Sequence, residues 1–306
     1  MSLIIAYIGK NGCVMAADKR KIGYFGDKEN LDILENELYN GEIVSDEEFL
    51  KRAEELDISV KITDDANKLK IVGKCVRGEV STKGTFETRR RRIYGTTKGY
   101  QLVELLGSEV TSRRAGETGI IIFGNVFAKK MAEDLVSKRF KPSSSLKSKG
   151  EIFEEIIEEI ASMTPTVGKN CDVLRQDPLF STNQAQQHLN MTIDQDIKVL
   201  VKFRQNLTEQ LVQQNLEIEM SNKIIDDGDV GKVISVDGNM VYVQLNDKTQ
   251  AMDENWKQLA GPNQNVIMFT ESDNIKVGDK VIIKNEDLCL KKDKSSLKCD
   301  VILCSL

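Results

Sequence analysis

At 306 residues, 40% apolar and 30% charged, the chain has the size for one to three domains and the composition of a soluble globular protein. A net charge of −5 argues against general nucleic-acid affinity, and no apolar run approaches the length of about 18 residues that would span a membrane. One histidine and six scattered cysteines without a Cys-x-x-Cys pair argue against a zinc site. No metal or cofactor is expected, and reduced thiols suit a cytoplasmic chain.

The first residues, Leu3 to Ile8, are a strand-like apolar run that turns at Lys10-Asn11-Gly12, so residues 2–25 predict a β-hairpin. This run is too short and too strand-like for a signal peptide. A small hydroxyl residue, Ser2, stands second. Removal of Met1 would leave Ser2 with a free α-amine beside its own hydroxyl. An α-amine titrates at about 7.7–8.0, against about 10.4 for lysine, so it is partly neutral near pH 7 and can serve as the base for its own side chain.

Residues 26–57 are strongly acidic, with helical spacing at Leu31, Leu34 and Leu38 and again at Phe49, Ala53 and Leu56. Ser45 followed by Glu48 is a capping box. Two short helices inserted between strands are predicted, either a solvated cover on the core or a substrate platform. Residues 58–63, 70–81 and 89–96 predict strands, and 99–107 a short helix. The apolar run 120–126 predicts a strand buried on both faces. Residues 126–139 and 150–163 predict amphipathic helices, and 166–174 a further strand.

Ser181 and Gln184 form another capping box, opening a long helix to about residue 224 whose heptads are too irregular for a coiled coil. Around Asp226–Asp229 the period changes to two. Residues 232–236, 240–245, 266–270 and 277–284 then predict the strands of a small all-β barrel. Its acids (Asp226, Asp227, Asp229, Asp253, Glu254, Glu271, Asp273) oppose nucleic-acid binding and favour a peptide-recognition or packing module. The single histidine, His188, reads as a structural or solvated residue at an exposed helix start. That disfavours a Ser-His-Asp mechanism and favours the N-terminal amine.

The segment Gly12 to Arg20, GCVMAADKR, resembles the second strand of proteasome β-subunits, with their Gly-x-Val-x-Ala-Ala-Asp-x-Arg pattern. Counted from Ser2 as first mature residue, Gly12 and Asp18 fall at that family's spacing. The whole chain more narrowly resembles the Connectases, proteasome-related protein ligases of methanogenic archaea. The resemblance is carried by IGKNGCVMAADKR, the acidic insertion after Phe25, RRRRIYGTTKGY and the C-terminal β-domain. It implies an α+β fold, a four-layer αββα sandwich of the N-terminal-nucleophile kind. Residues 1–180 would be the catalytic domain with an insertion at about 26–57, 181–225 a helical connector, and 226–306 a small all-β domain.

The resemblance also implies roles. Ser2 is the nucleophile, and Asp18 orients a basic group beside it. A nearby cation would keep the amine's pKa low. The insertion obscures which lysine this is; Lys74 is the choice, with Lys70 and Lys83 next and Arg20 another nearby cation. The backbone N–H of Thr97 or Lys98 would be the oxyanion donor, and Thr166 a supporting hydroxyl. The aspartate usual three residues before that hydroxyl is Met163 here, a departure from the pattern. In the run Arg89-Arg90-Arg91-Arg92, alternate members of a strand face opposite sides, so two would line a cleft near Ser2 and suit a peptide carboxylate.

The implied activity is a protein ligase or transpeptidase that cleaves the Asp–Pro bond of a Lys-Asp-Pro-Gly-Ala motif and passes the acyl group to a Pro-Gly-Ala start. The implied partner is a protein carrying that motif, the A subunit of a methanogenesis methyltransferase. A monomer without membrane insertion or nucleic acid is expected. The alternatives are a plain N-terminal-nucleophile protease or amidase, and a non-catalytic peptide-binding protein on the same fold.

Overall fold

The computed structural model describes residues 3–84 and 87–306, so Ser2 lies outside the described residues, as does the side chain of Lys83. The chain divides into two compact units, Met1–Arg204 and Gln205–Leu306. In order, the first holds β1 (Ile4–Gly9), β2 (Gly12–Asp18), β3 (Lys21–Phe25), α1 (Lys28–Asn40), α2 (Asp46–Glu55), β4 (Ser59–Thr63), β5 (Leu69–Val72), β6 (Cys75–Lys83), β7 (Thr88–Thr96), β8 (Gly99–Leu106), β9 (Glu109–Gly116), β10 (Gly119–Phe123), α3 (Val126–Arg139), α4 (Leu146–Ala161), β11 (Cys171–Gln176) and the first part of α5 (Thr182–Ser221).

It is a mixed α/β unit built on two larger antiparallel sheets, ordered β10-β1-β2-β11 and β5-β6-β7-β8-β9. The hairpin β1–β2 sits at the centre of the first. Its side chains alternate between two cores, which is why both faces of these strands are apolar. Leu3, Ile5, Val14 and Ala16 pack on Ala128, Ala132, Phe153 and Ile156 of α3 and α4. Ile4, Ala6, Ile8 and Met15 face Val76 and Ile93 of the second sheet. The far side of that sheet, Tyr94, Val103 and Leu105, meets Leu189 and Ile193 of α5.

Several local readings change: the predicted strand 70–81 is a hairpin of β5 and β6 turning at Gly73-Lys74, and 166–174 becomes strand only from Cys171. Residues 99–107 are a strand, β8, not a helix. Gln101, Val103 and Leu105 are buried while Tyr100, Leu102 and Glu104 are half-buried, a two-residue period. Both faces are covered, so apolar residues fall at spacings that mimic a helix. The run 120–126 is not a doubly buried strand: β10 is a sheet edge, Ile120 is 38% exposed, and Val126 opens α3. The predicted hairpin ends at Asp18, because β3 leaves to pair with β4.

The acidic insertion forms its two predicted helices. Asp27 caps α1 through Glu29 N, and Ser45 caps α2 through Glu48 N at 3.2 Å. The Glu48 carboxylate reaches back to Val44 N at 3.0 Å. Leu34, Leu38, Phe49 and Ala53 bury against Ile22, Ile43 and Ile58. Each large side chain removed from water stabilises by about 1.5–3 kcal/mol, so a small core shared with β3 and β4 holds the insertion in place.

The second unit holds the rest of α5, then β12 (Gly228–Asp237), β13 (Met240–Leu245), β14 (Thr249–Met252), β15 (Gln258–Ala260), β16 (Asn265–Phe269), β17 (Lys280–Lys284), β18 (Asp287–Leu290) and β19 (Ile302–Ser305). Sheets ordered β16-β13-β12-β17-β18 and β15-β14-β19 enclose one core of Val233, Val241, Val243, Val281, Leu290 and Leu303. The larger sheet closes only through isolated bridges, Phe269↔Lys298 and Cys289↔Ser296, so it is a partial barrel. Among the described residues no helix is long and apolar enough to cross a membrane.

Candidate active site

The end of β2 carries a fully buried carboxylate. Asp18 Oδ1 accepts from Leu3 N at 2.7 Å and from Lys68 Nζ at 2.6 Å. Its Oδ2 accepts from Arg20 N at 3.0 Å and Gly168 N at 3.2 Å. Four donors from four chain segments fill the carboxylate's acceptor sites. Leu3 N is the nitrogen of the peptide bond to Ser2. Because Leu3 N and Lys68 Nζ share one oxygen, the ammonium stands within two hydrogen-bond lengths of that bond. Burial pulls the Lys68 ammonium below the ordinary lysine range, and Asp18 opposes it.

The loop after α4 supplies the other wall. Asn125 caps α3: its Oδ1 accepts from Ala128 N at 2.7 Å, which leaves its Nδ2 to donate to Thr166 Oγ1 at 2.9 Å. Thr164 Oγ1 lies 3.0 Å from Thr166 Oγ1, and both threonines are fully buried. Gly168 admits no side chain: a Cβ there would stand 2.7 Å from Asp64 Oδ1 and 2.9 Å from Arg20 Cβ.

Arg20 closes the far side. Its Nε and Nη2 donate to Asp64 at 2.9 and 3.1 Å. Nη1 and Nη2 donate to Asp46 at 2.6 and 3.1 Å, and Nη1 also donates to Pro165 O at 2.9 Å. A cleft of about 560 Å³ adjoins, lined by Arg20, Asp46, Asp64, Pro165, Val167 and Lys169 among others.

Residues 1–198 match the Connectase MJ0548-like N-terminal domain, and residues 202–304 match the C-terminal domain of the same family. The chain belongs to the Connectase family. It is also similar to Anbu, the ancestral beta-subunit from Yersinia bercovieri, at 12% identity, covering 70% of this chain and 96% of that one, with a TM-score of 0.30. A search of curated proteins finds no match.

Within this Connectase-family chain, the geometry brings together Asp18 and Thr166 and adds Lys68, Asn125 and Gly168, which the sequence reading missed. It moves the lysine. Lys74 lies beyond β5, about 13 Å along the strand from Lys68. It is exposed, with its ammonium 5.6 Å from the Phe180 ring centre and its N–H on His188 Nε2 at 3.2 Å. Three lysines fall within seven residues, and only reach to Asp18 separates them. His188 is half-buried and accepts from Lys74 N, a structural histidine.

The oxyanion assignment also fails. Thr97 and Lys98 form the β7–β8 turn, and Lys98 N is already bonded to Gly9 O at 3.0 Å. Gly9 ends β1, about 20 Å along the strand from Leu3.

The arginine run divides by face. Arg92 is buried against Glu79, Asp196 and Tyr94, and Arg90 donates to Gly107 O at 2.7 Å. Neither is free for a ligand. Arg91 turns the other way, like Ile93, and stacks 4.9 Å from the centre of Phe123, which pairs with Ile4. Its side chain is half exposed and lies 3.7 Å from the Glu104 carboxylate. Arg89, two residues further on, is exposed.

Proposed function

We propose that this chain is a peptide ligase, a transpeptidase that works through Ser2 as its mature N-terminal residue. The observation that carries the reading is the single Asp18 oxygen shared by Leu3 N and Lys68 Nζ. It ties a buried cation to the first peptide bond behind Ser2. A nearby ammonium disfavours a second positive charge on the α-amine and keeps that amine available as a base.

The amine takes the proton from Ser2 Oγ as the oxygen attacks the aspartyl carbonyl of a Lys-Asp-Pro-Gly-Ala motif. Collapse of the tetrahedral intermediate breaks the Asp–Pro bond, and the protonated amine returns the proton to the proline nitrogen. The ester on Ser2, or its amide after transfer to the adjacent α-amine, then yields to the proline nitrogen of an incoming Pro-Gly-Ala start. Exclusion of water favours ligation over hydrolysis. Thr166, held by Asn125, supports the amine side, and Arg91 with Arg89 suits the motif's carboxylate through charge-assisted hydrogen bonds.

This reading includes the four-layer αββα arrangement for the first unit, supported by its three stacked cores. It also includes a cytoplasmic monomer acting on a motif-bearing protein, the A subunit of a methanogenesis methyltransferase. Mixing the protein with a motif peptide and a second peptide starting Pro-Gly-Ala tests it. Exchange products by mass spectrometry support the ligase. Hydrolysis alone identifies an amidase, and absence of any product identifies a binding protein.

A further inference from the structure

All five N–H groups of Arg20 are engaged: two carboxylates bidentately and one carbonyl. The partners come from three places. Asp46 is the first residue of α2 in the insertion, Asp64 precedes β5 and Lys68, and Pro165 stands between the two buried threonines. The arginine's own backbone N–H is a donor to Asp18. One side chain thus joins the insertion to both walls of the centre. The insertion's helices are also held independently of Arg20, by packing on Ile22 of β3 and on Ile58.

We propose that Arg20 is a positioning residue through which the acidic insertion sets the geometry of the Asp18–Lys68 pair, with Asp46 as the insertion's contact. The insertion is then a part of the reaction centre rather than a cover on it. A load on α2, such as a docked protein substrate, reaches the pair through a rigid fork. Arginine suits this because its planar guanidinium fixes both carboxylates at once, which a lysine point charge does not. The proposal rests on the ligase reading.

The test uses the full chain and the substitution Asp46→Asn. Asp46 is 53% exposed on its side chain, so its loss leaves no cavity. Glu47→Gln is the control: it removes one carboxylate from the same helical turn and is exposed. With a motif peptide, Asp46→Asn lowers kcat about tenfold at nearly unchanged KM, short of the ~100-fold that a 1 Å misplacement can cost. Arg20→Lys lowers it further, and Glu47→Gln leaves it at the parental value.

A second readout needs no turnover: the titration of Lys68 by NMR. Lys68 faces Asp18 from β2, Asp64 from its own segment, and Cys171 from β11. Removing the Asp46 charge leaves the Arg20 guanidinium less neutralised, so the Lys68 ammonium titrates at lower pH in Asp46→Asn than in the parent or in Glu47→Gln. Parental kcat together with an unmoved Lys68 titration in Asp46→Asn overturns the proposal. If the parent forms no peptide adduct, the ligase reading falls, while the Lys68 titration still decides the coupling.

Discussion

Two buried ionic networks in the first unit look alike and lead to different places. In one, Asp196 of α5 accepts from Arg77 at 2.9 Å, Arg92 at 3.0 Å and the Tyr94 hydroxyl at 2.6 Å. Burial pushes the Asp196 carboxyl up, but hydrogen bonds from Tyr94 and Arg77 outweigh it and leave it below its ordinary range. Every partner there is a side chain, and the contacts pin α5 to the second sheet. In the other, Asp18 accepts three backbone amides and one ammonium. Its contacts end on the peptide bond behind Ser2. A buried ion pair alone therefore marks nothing. The site is marked by where the pair's hydrogen bonds lead.

Breaking each network separates them. Lys68→Ala leaves Asp18 buried beside three amides without its cation. We expect a loss of about 3–5 kcal/mol in unfolding free energy. We also expect at least a ~100-fold fall in the rate of peptide adduct formation, the lower end of a general acid–base contribution. Denaturant melts and single-turnover mass spectrometry read both. Asp18→Asn falls in the same class, because an amide NH₂ would oppose N–H donors; it is expected to cost stability as well as rate.

Asp196→Ala, at the other network, takes the carboxylate from Arg77, leaves Arg92 with the Glu79 carboxylate alone, and should cost a similar ~3–5 kcal/mol while leaving the adduct rate at the parental value wherever the protein is folded. A parallel fall in rate would mean that the two networks act as one.

The comparison sharpens at the arginine run. Arg91→Ala removes the half-exposed guanidinium beside Phe123 and should raise KM for the motif peptide about tenfold or more, from a charge-assisted bond worth about 1.5–3 kcal/mol, with kcat nearly kept. Arg90→Ala should leave KM unchanged, since Arg90 is tied to Gly107 O.

The smallest expected effect is at His188. Burial, helped by Lys74, holds its imidazole below the ordinary value of 6.5. The unfolded chain then binds the proton more readily, so stability falls as the pH drops from about 6.5 towards the folded value. Melting temperatures of the parent and of His188→Gln at about pH 7.5 and about pH 5 should show the larger drop in the parent.

Much of this was legible in the sequence. The β1–β2 hairpin, the two capped insertion helices and the Ser181–Gln184 box are local events, fixed by a short apolar run with its turn and by caps within four residues. Asp18 was legible because its spacing from residue 2 follows a strand–turn–strand path with no insertion. Lys68 was not, because the acidic insertion at 26–57 intervenes and nothing local separates it from Lys70 or Lys74. Strand β8 was misread because both of its faces are covered. Which two of the four arginines turn away into the buried network was not legible, because alternation says that faces differ, but not which face holds Asp196, more than a hundred residues away.

The account's central claim is that Ser2, with its own amine as base, is the group that takes the acyl chain. The most direct measurement is the intact mass of the protein after incubation with a single motif peptide, followed by peptide mapping of the adduct. The account predicts a chain lacking Met1, one acyl group mapped to residue 2, and no adduct in Ser2→Ala. Full retention of Met1 in an active sample, or an adduct on any other residue, would contradict it.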